Sequence, residues 1–347
     1  MAGARTVRYF FDRATCHERL PAENRGAVPN ETSVRYCNRL AAKNLHGRRQ
    51  SIDADEAAQV RHRSTIRGRI RARTRWSDRE GILKEGCTTM LGIKRKLAAG
   101  ELVKVFSIAR VLHPTVVEMF GLGGGYDGMW VDQEHGGATY EQIHTLSLAA
   151  RANRLDCFVR MAPTGYSAVT QCLEAGAGGV MAAQIHSADE ARQFLEWAHF
   201  PPLGKRGLNT GGSDGRYTHR TPREFVEAAV DETFVGIQIE TAGALEQVDA
   251  IAQLPGLDLL FVGPSDLSLS IGHVGEFHSD PMWEAMQTIA DAANRHGVPW
   301  AVLPPDPKFA LRAVELGCRM LSIANDPLIM RRGIEAFQAN YDAFFTA

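Results

Sequence analysis

From residue 103 onward the chain alternates short apolar runs with amphipathic stretches, eight times over, and that alternation leaves few folds open. The candidate strands are Val103–Ile108, Asp127–Val131, Asp156–Arg160, Gly179–Ala182, Phe234–Ile239, Asp258–Val262, Val298–Val302 and Arg319–Ile323. They are short and rich in Val, Ile, Leu and Phe, as strands buried on both faces of a parallel sheet should be. Helical spacing predicts helices between them. Tyr140–Ala152 carries Ile143, Leu146 and Ala150 on one face, and Ala188–Ala198 and Trp283–His296 are similarly patterned. Gly176, Gly178, Gly256, Gly297 and Gly317 stand just before strands, where helices end. Strand followed by helix, repeated, is the mark of a parallel α/β fold. Eight such units in about 250 residues match the size of a (β/α)8 TIM barrel. A doubly wound open sheet is the alternative, but it usually carries a glycine-rich phosphate turn after its first strand. Here that strand runs into Ser107-Ile-Ala-Arg110, and the Gly121-Leu-Gly-Gly-Gly125 run follows a helix and is expected to be a loop.

Composition divides the 347 residues in two. Residues 1–89 hold 17 Arg and 2 Lys against 10 acids, a net +9, whereas residues 90–347 hold 20 basic and 30 acidic residues, a net −10. Seven arginines fall within Arg61–Arg75, repel one another and cannot be buried without partners, so a disordered Arg-rich N-terminal extension is expected there. A basic arm for nucleic acid or membrane is one reading of it. A transit peptide is disfavoured by the ten acids, since such peptides are acid-poor. The sharp change of composition at Met90 favours an extension without function, translated from an upstream start. For the acidic barrel segment no nucleic-acid partner is expected. No apolar run reaches the roughly 18 residues of a membrane span. Cys16, Cys37, Cys87, Cys157, Cys172 and Cys318 show neither CxxC nor zinc spacing, and fit the scattered reduced thiols of a cytoplasmic protein.

In such barrels the chemistry sits on the loops after the strands, and polar residues gather there. Asp132, Glu134 and His135 follow the second strand, Arg160 ends the third, Gln238 and Glu240 close the fifth, and Gly263-Pro-Ser-Asp266 follows the sixth. Glu240 and Asp266 each succeed an apolar strand. A carboxylate pair with open positions suits Mg²⁺ or Mn²⁺, which retain waters and take further oxygens from substrate; the competing reading is that Asp266 caps a helix. His135 is the natural acid/base, with Asp132 and Glu134 close enough in sequence to orient it. Arg160 needs an anionic partner, either a structural carboxylate such as Glu134 or a developing enolate. The amides from Gly263 to Asp266 open a helix and could hold a substrate carboxylate. From residue 90 on, Lys94, Lys96, Lys104, Lys205 and Lys308 all lie away from predicted C-terminal strand ends. No Schiff-base lysine is therefore in place, and an electron sink at this mouth must be a metal.

The motifs Asp127-Gly-Met-Trp-Val-Asp-Gln-Glu-His135, Leu173-Glu-Ala-Gly-Ala-Gly-Gly-Val180, Pro201-Pro-Leu-Gly-Lys-Arg-Gly207, Gln238-Ile-Glu-Thr241 and Phe261-Val-Gly-Pro-Ser-Asp-Leu-Ser268 come in one order. Together, from about Leu91 to the C-terminus, they resemble the HpcH/HpaI aldolases, metal-dependent class II pyruvate aldolases of 4-hydroxy-2-oxo acids and 2-keto-3-deoxy sugar acids. The resemblance implies that Glu240 and Asp266 bind a divalent metal (Mg²⁺, Mn²⁺ or Co²⁺). It also implies that His135 transfers protons, that Arg160 stabilises the pyruvate enolate, and that Gln238 lies beside metal and substrate. Gly263, Pro264 and Ser265 are the expected substrate-binding turn, and the family's oligomers are commonly hexameric. Glu174 stands where the family often has an Asp thought to assist the histidine. Ala183-Gln184 replaces a frequent Pro-Met, the loop Leu208–Tyr217 has its own composition, and residues 1–89 have no counterpart. The expected reaction is reversible cleavage of a 2-oxo acid to pyruvate and an aldehyde. A CoA-thioester lyase of the citrate lyase beta or malyl-CoA lyase type, and a barrel that only binds a small acid, are the alternatives.

Overall fold

The computed structural model describes residues 92–345; the expectations for the Arg-rich extension and for Cys16, Cys37 and Cys87 lie outside the described residues. Eight parallel strands close into a barrel in sequence order. These are β1 (Val103–Ile108), β2 (Gly128–Asp132), β3 (Asp156–Met161), β4 (Gly179–Ala182), β5 (Phe234–Ile239), β6 (Leu259–Val262), β7 (Trp300–Val302) and β8 (Met320–Asn325). The open-sheet alternative is thereby excluded, because β1 pairs with both β2 and β8. Helix α1 (Gly92–Ala98) precedes the barrel. Outside it run α2 (Pro114–Gly123), α3 (Tyr140–Ala152), α4 (Tyr166–Glu174), α5 (Ala188–Ala198) and α6 (Pro222–Glu232). Then follow α7 (Ala242–Glu246), α8 (Val248–Ala252), α9 (Pro264–Ser270), α10 (Asp280–His296), α11 (Pro307–Glu315), α12 (Asp326–Asn340) and α13 (Asp342–Phe345).

Side chains alternate along each strand, so every second residue enters the barrel. Val105, Trp130, Phe158, Met181, Phe234, Leu259, Phe261 and Met320 fill the interior as one apolar cluster, joined from below by Ile93 and Leu97 of α1. Burying a side chain of this size contributes about 1.5–3 kcal/mol. The α1 plug is seated by carboxylates at the strand starts. The Ile93 amide donates to Asp156 at 2.6 Å, and Lys94 and Lys96 pair with Asp258 and Asp127 at 2.9 and 2.5 Å. Asp127 and Asp258, expected inside strands, precede β2 and β6 because their side chains accept the amides of Lys104 and Val235 instead. A second, larger apolar cluster lies between the strands' outer faces and the helices.

The glycine-rich run is not all loop. Helix α2 continues through Gly121 to Gly123. A Cβ at Gly121 would sit 2.6 Å from the Asn153 carboxamide, so its absence lets α2 close on the end of α3. Strand β7 starts at Trp300 and not at Val298, because the Val298 amide still bonds back to Ala293 of α10.

Candidate active site

Alternation along the strands also builds the barrel mouth. Two residues beyond the apolar filler Trp130 comes Asp132, and two beyond Phe158 comes Arg160. Strand register sets Asp132 directly opposite Arg160. Both are buried, and the guanidinium grips the carboxylate with two bonds, Nε to Oδ1 at 3.2 Å and Nη2 to Oδ2 at 2.7 Å. Its other face lies over the Trp130 ring, 5.0 Å from the centroid, and the Trp130 indole is itself fixed by Ser322 at 2.9 Å. Glu134 is a second anionic neighbour, 3.4 Å from Arg160 Nε. The principal partner of Arg160 is thus Asp132, where sequence reasoning named Glu134, because cross-strand register is not visible in the order of residues.

His135 sits on the turn after β2 with its side chain 56% exposed, so it faces solvent at the mouth. Its backbone amide donates to Asp132 Oδ1 at 3.1 Å, and its Nε2 lies 3.8 Å from Glu134 Oε2. Asp132 therefore orients the turn and not the imidazole ring; the carboxylate near the ring is Glu134. Arg110, after β1, donates to the His135 carbonyl at 2.9 Å. The β1 loop is in turn tied down by Asp326, whose buried carboxylate accepts the amides of Ala109, Arg110 and Val111. Sequence reasoning missed Asp326; its one local signal was an Asp-Pro pair opening a helix.

Across the mouth, Glu240 is buried at the end of β5. Gln238 Nε2 donates to its Oε2, while the backbone amide and Nε2 of Gln184 both donate to its Oε1, at 2.8 and 3.2 Å. Gln184 holds φ 52°, a left-handed conformation uncommon outside glycine, and its amide reaches Glu240 from there. Gly263 leaves room for this packing: a Cβ there would collide with Glu240 Oε2 and Gln238 Nε2. Burial pushes the Glu240 carboxyl up to about 7, helped by the neighbouring Asp266 and Glu134 carboxylates and opposed by the Gln184 amide and Arg160. Asp266, Glu134 and Arg160 are thus near enough to Glu240 for their charges to act on its carboxyl. Asp266 lies in the first turn of α9, where Gly263 is the N-cap and no side chain caps the helix, so its carboxylate is not used up as a cap.

These donors suit a hard divalent cation. Glu240, buried, and Asp266, partly buried, bring negative charge together where Glu240 is driven toward protonation, a cost that a cation offsets. Gln238 Oε1 and Glu134 Oε2 are buried there without hydrogen-bond partners. Among the described residues no group of three or more His, Cys, Asp or Glu converges in the manner of a complete metal cage; a two-carboxylate site leaves the remaining positions to water and substrate oxygens.

Glu174 is placed elsewhere. It ends α4, which descends from the mouth to the strand starts, and it accepts a bond from Asn209 at 3.0 Å. With Tyr140, Glu141 and His144 of α3 it lines a pocket beside the Asn209–Tyr217 loop, and among the described residues it makes no hydrogen bond or ion pair with His135.

Residues 112–326 match the family model described as HpcH/HpaI aldolase/citrate lyase. The 4-hydroxy-4-methyl-2-oxoglutarate aldolase of Hapsidospora irregularis is 32% identical over 208 residues, which are 59% of this chain and 76% of that protein. A hydroxypyruvate/pyruvate aldolase of Paraburkholderia phytofirmans is 32% identical over 216 residues, 60% of this chain and 82% of its own. Among solved structures, an HpcH/HpaI aldolase from Desulfitobacterium hafniense superposes with a TM-score of 0.66 at 29% identity, covering 71% of this chain and 96% of that one. The matched segment contains β2 to β8 and the mouth residues from Trp130 to Asp326, and it begins just after the β1 loop that carries Arg110. With its closed barrel and its acidic, arginine-backed mouth, the chain belongs to the HpcH/HpaI aldolase/citrate lyase family.

Proposed function

We propose that the protein is a divalent-metal-dependent aldolase that reversibly cleaves a 4-hydroxy-2-oxo acid or a 2-keto-3-deoxy sugar acid. The products are pyruvate, or a related 2-oxo acid, and an aldehyde. The observation that carries this reading is that Glu240 and Arg160 are buried at the mouth, that Asp266 is close enough to act on the Glu240 carboxyl, and that His135 is exposed beside them. Glu240 and Asp266 are the residues that would hold the metal, which supplies Lewis-acid withdrawal of charge from the 2-oxo group.

In the cleavage direction His135, through a water, takes the proton of the C4 hydroxyl. The C3–C4 bond breaks, the aldehyde carbonyl forms, and the electron pair passes to the C2 oxygen as an enolate. Arg160 offers fixed positive charge to that oxygen, and its pairing with Asp132 keeps the guanidinium from reorganising as the charge develops. Protonation at C3 then yields the 2-oxo acid. Gln238 and the Gly263-Pro264-Ser265 turn orient the substrate's carboxylate end. The catalytic unit is residues 90–347, with residues 1–89 outside it, and the proposed location is the cytoplasm. No described helix is long and apolar enough to cross a membrane. The protein works as a homo-oligomer, a reading supported by the exposed apolar residues of α12 and α13.

The test is a retro-aldol assay coupled to pyruvate detection over a panel of 4-hydroxy-2-oxo acids, with malyl-CoA as the contrasting substrate. Pyruvate release from the oxo acids is expected. Turnover of malyl-CoA alone would replace this reading with thioester lyase chemistry.

A further inference from the structure

At the barrel end away from the mouth, a cavity of about 460 Å³ lies between α3, α4, α6 and the long loop that joins α5 to α6. Its volume is within the range of small-molecule sites. One wall is apolar, made by Leu155, Leu173, Ala177, Phe225 and Ala229. The polar wall is unevenly matched. Its three carboxylates are already engaged: Asp156 by the Ile93 amide, Asp214 by Arg206, and Glu232 by a two-pronged bond from Arg220. Donors are left over. Arg206 has a side chain only 2% exposed, pressed between the Phe200 and Phe225 rings, and its Nε is buried without a hydrogen-bond partner. Arg151 meets the Ser213 hydroxyl at 3.1 Å and, among the described residues, no carboxylate.

A buried N–H of a cation left without an acceptor is costly, and a guanidinium offers five donors in a planar fork suited to carboxylate. The loop over the cavity is unusual as well. Arg216, Tyr217 and Thr218 adopt left-handed φ of 53°, 52° and 70° in succession, whereas non-glycine residues enter that region rarely and one at a time. The loop is pinned from within by Tyr217 N to Gly212 O and Thr218 N to Thr210 O, which holds the roof in place over the cavity.

We propose that this cavity binds a small organic carboxylate with an apolar body, its charge taken by Arg151, with the Arg206 guanidinium adding fixed positive charge to the same wall, and its body seated against Leu155, Leu173 and Phe225. The site is separate from the mouth, and its occupant is not the aldolase substrate. Calorimetric titration of the full chain with benzoate tests it, with benzamide as the neutral isostere. Saturable benzoate binding is expected, with benzamide about tenfold weaker, the usual scale for losing a charge-assisted hydrogen bond. Arg151→Gln should weaken benzoate by about the same factor. Ala229→Leu, which fills the apolar wall and leaves every charge in place, should weaken it too, and it keeps the test open if the arginine variant does not fold. Asp266→Asn at the mouth should leave benzoate affinity unchanged. The proposal is overturned by absence of saturable binding in the folded protein, by equal affinity for benzamide, or by loss of binding in Asp266→Asn with none in Arg151→Gln.

Discussion

Arg160 is buried with its guanidinium held by both oxygens of Asp132, and removing one partner of such a pair leaves an uncompensated charge inside the protein. Asp132→Asn keeps the shape and deletes the charge. It should lower the unfolding free energy by about 3 kcal/mol, read from the urea midpoint, and it should loosen the His135 turn, whose amide bonds to the same carboxylate. His135 makes the opposite case. Its side chain is half-exposed and braces nothing, so His135→Ala should leave stability nearly intact while reducing retro-aldol turnover by about 10²–10⁴-fold, the contribution of general acid–base catalysis. Pyruvate affinity should barely change, because the histidine acts on the hydroxyl that becomes the aldehyde. Full turnover in that variant would remove the acid/base assignment.

Glu240 and Asp266 come from different elements, the end of β5 and the first turn of α9, and their shared environment is a property of that junction. The Glu240 carboxyl is displaced upward from an ordinary 4.5 to about 7, mainly by burial. In the metal-free protein the group favours folding most when protonated. That contribution is complete below about pH 4.5 and is lost as pH rises through 7, about 3 kcal/mol in all at about 1.4 kcal/mol per pH unit. Metal uptake must displace this proton, so below pH 7 it should weaken and release a proton. Mn²⁺ titrations at pH 6 and pH 8, in buffers of different ionisation enthalpy, check this; equal affinity at both would count against Glu240 as a ligand. EDTA should abolish activity, and Mg²⁺, Mn²⁺ or Co²⁺ should restore it. Such a junction was partly legible in the sequence. The strands β1, β4 and β5 and the helices α3 and α5 have the bounds that periodicity indicated, because apolar runs buried on both faces leave little freedom. Strand ends then located Glu240, Asp266, Arg160 and His135. What periodicity could not supply was register: that Asp132 lies across from Arg160, that Gln184 bends back onto Glu240, that Asp326 anchors the loop after β1, and that Glu174 meets Asn209. Each is a contact between residues 28 to 217 positions apart.

The barrel's last helix is the place where the single chain is least complete. In this fold each helix covers the outer face of its strand, and an amphipathic helix gains most of its stability by burying that stripe. Helix α12 buries only Asp326 at its start, while Ile329, Met330, Ile334 and Phe337 are exposed, Phe337 at 69%. Tyr341, Phe344 and Phe345 continue the apolar surface, and Ile323 on β8 is itself 46% exposed. A contiguous apolar surface on this scale marks an interaction site, and a second copy brings the same helix and the same uncovered strand, so a self-complementary contact satisfies both at once. Light scattering coupled to size exclusion should therefore find a homo-oligomer. Ile334→Lys combined with Phe337→Lys should shift it toward smaller species without unfolding the barrel, since neither side chain reaches the core. A monomeric wild type, or a doubly charged variant that keeps its full size, would mean that this surface is covered in some other way.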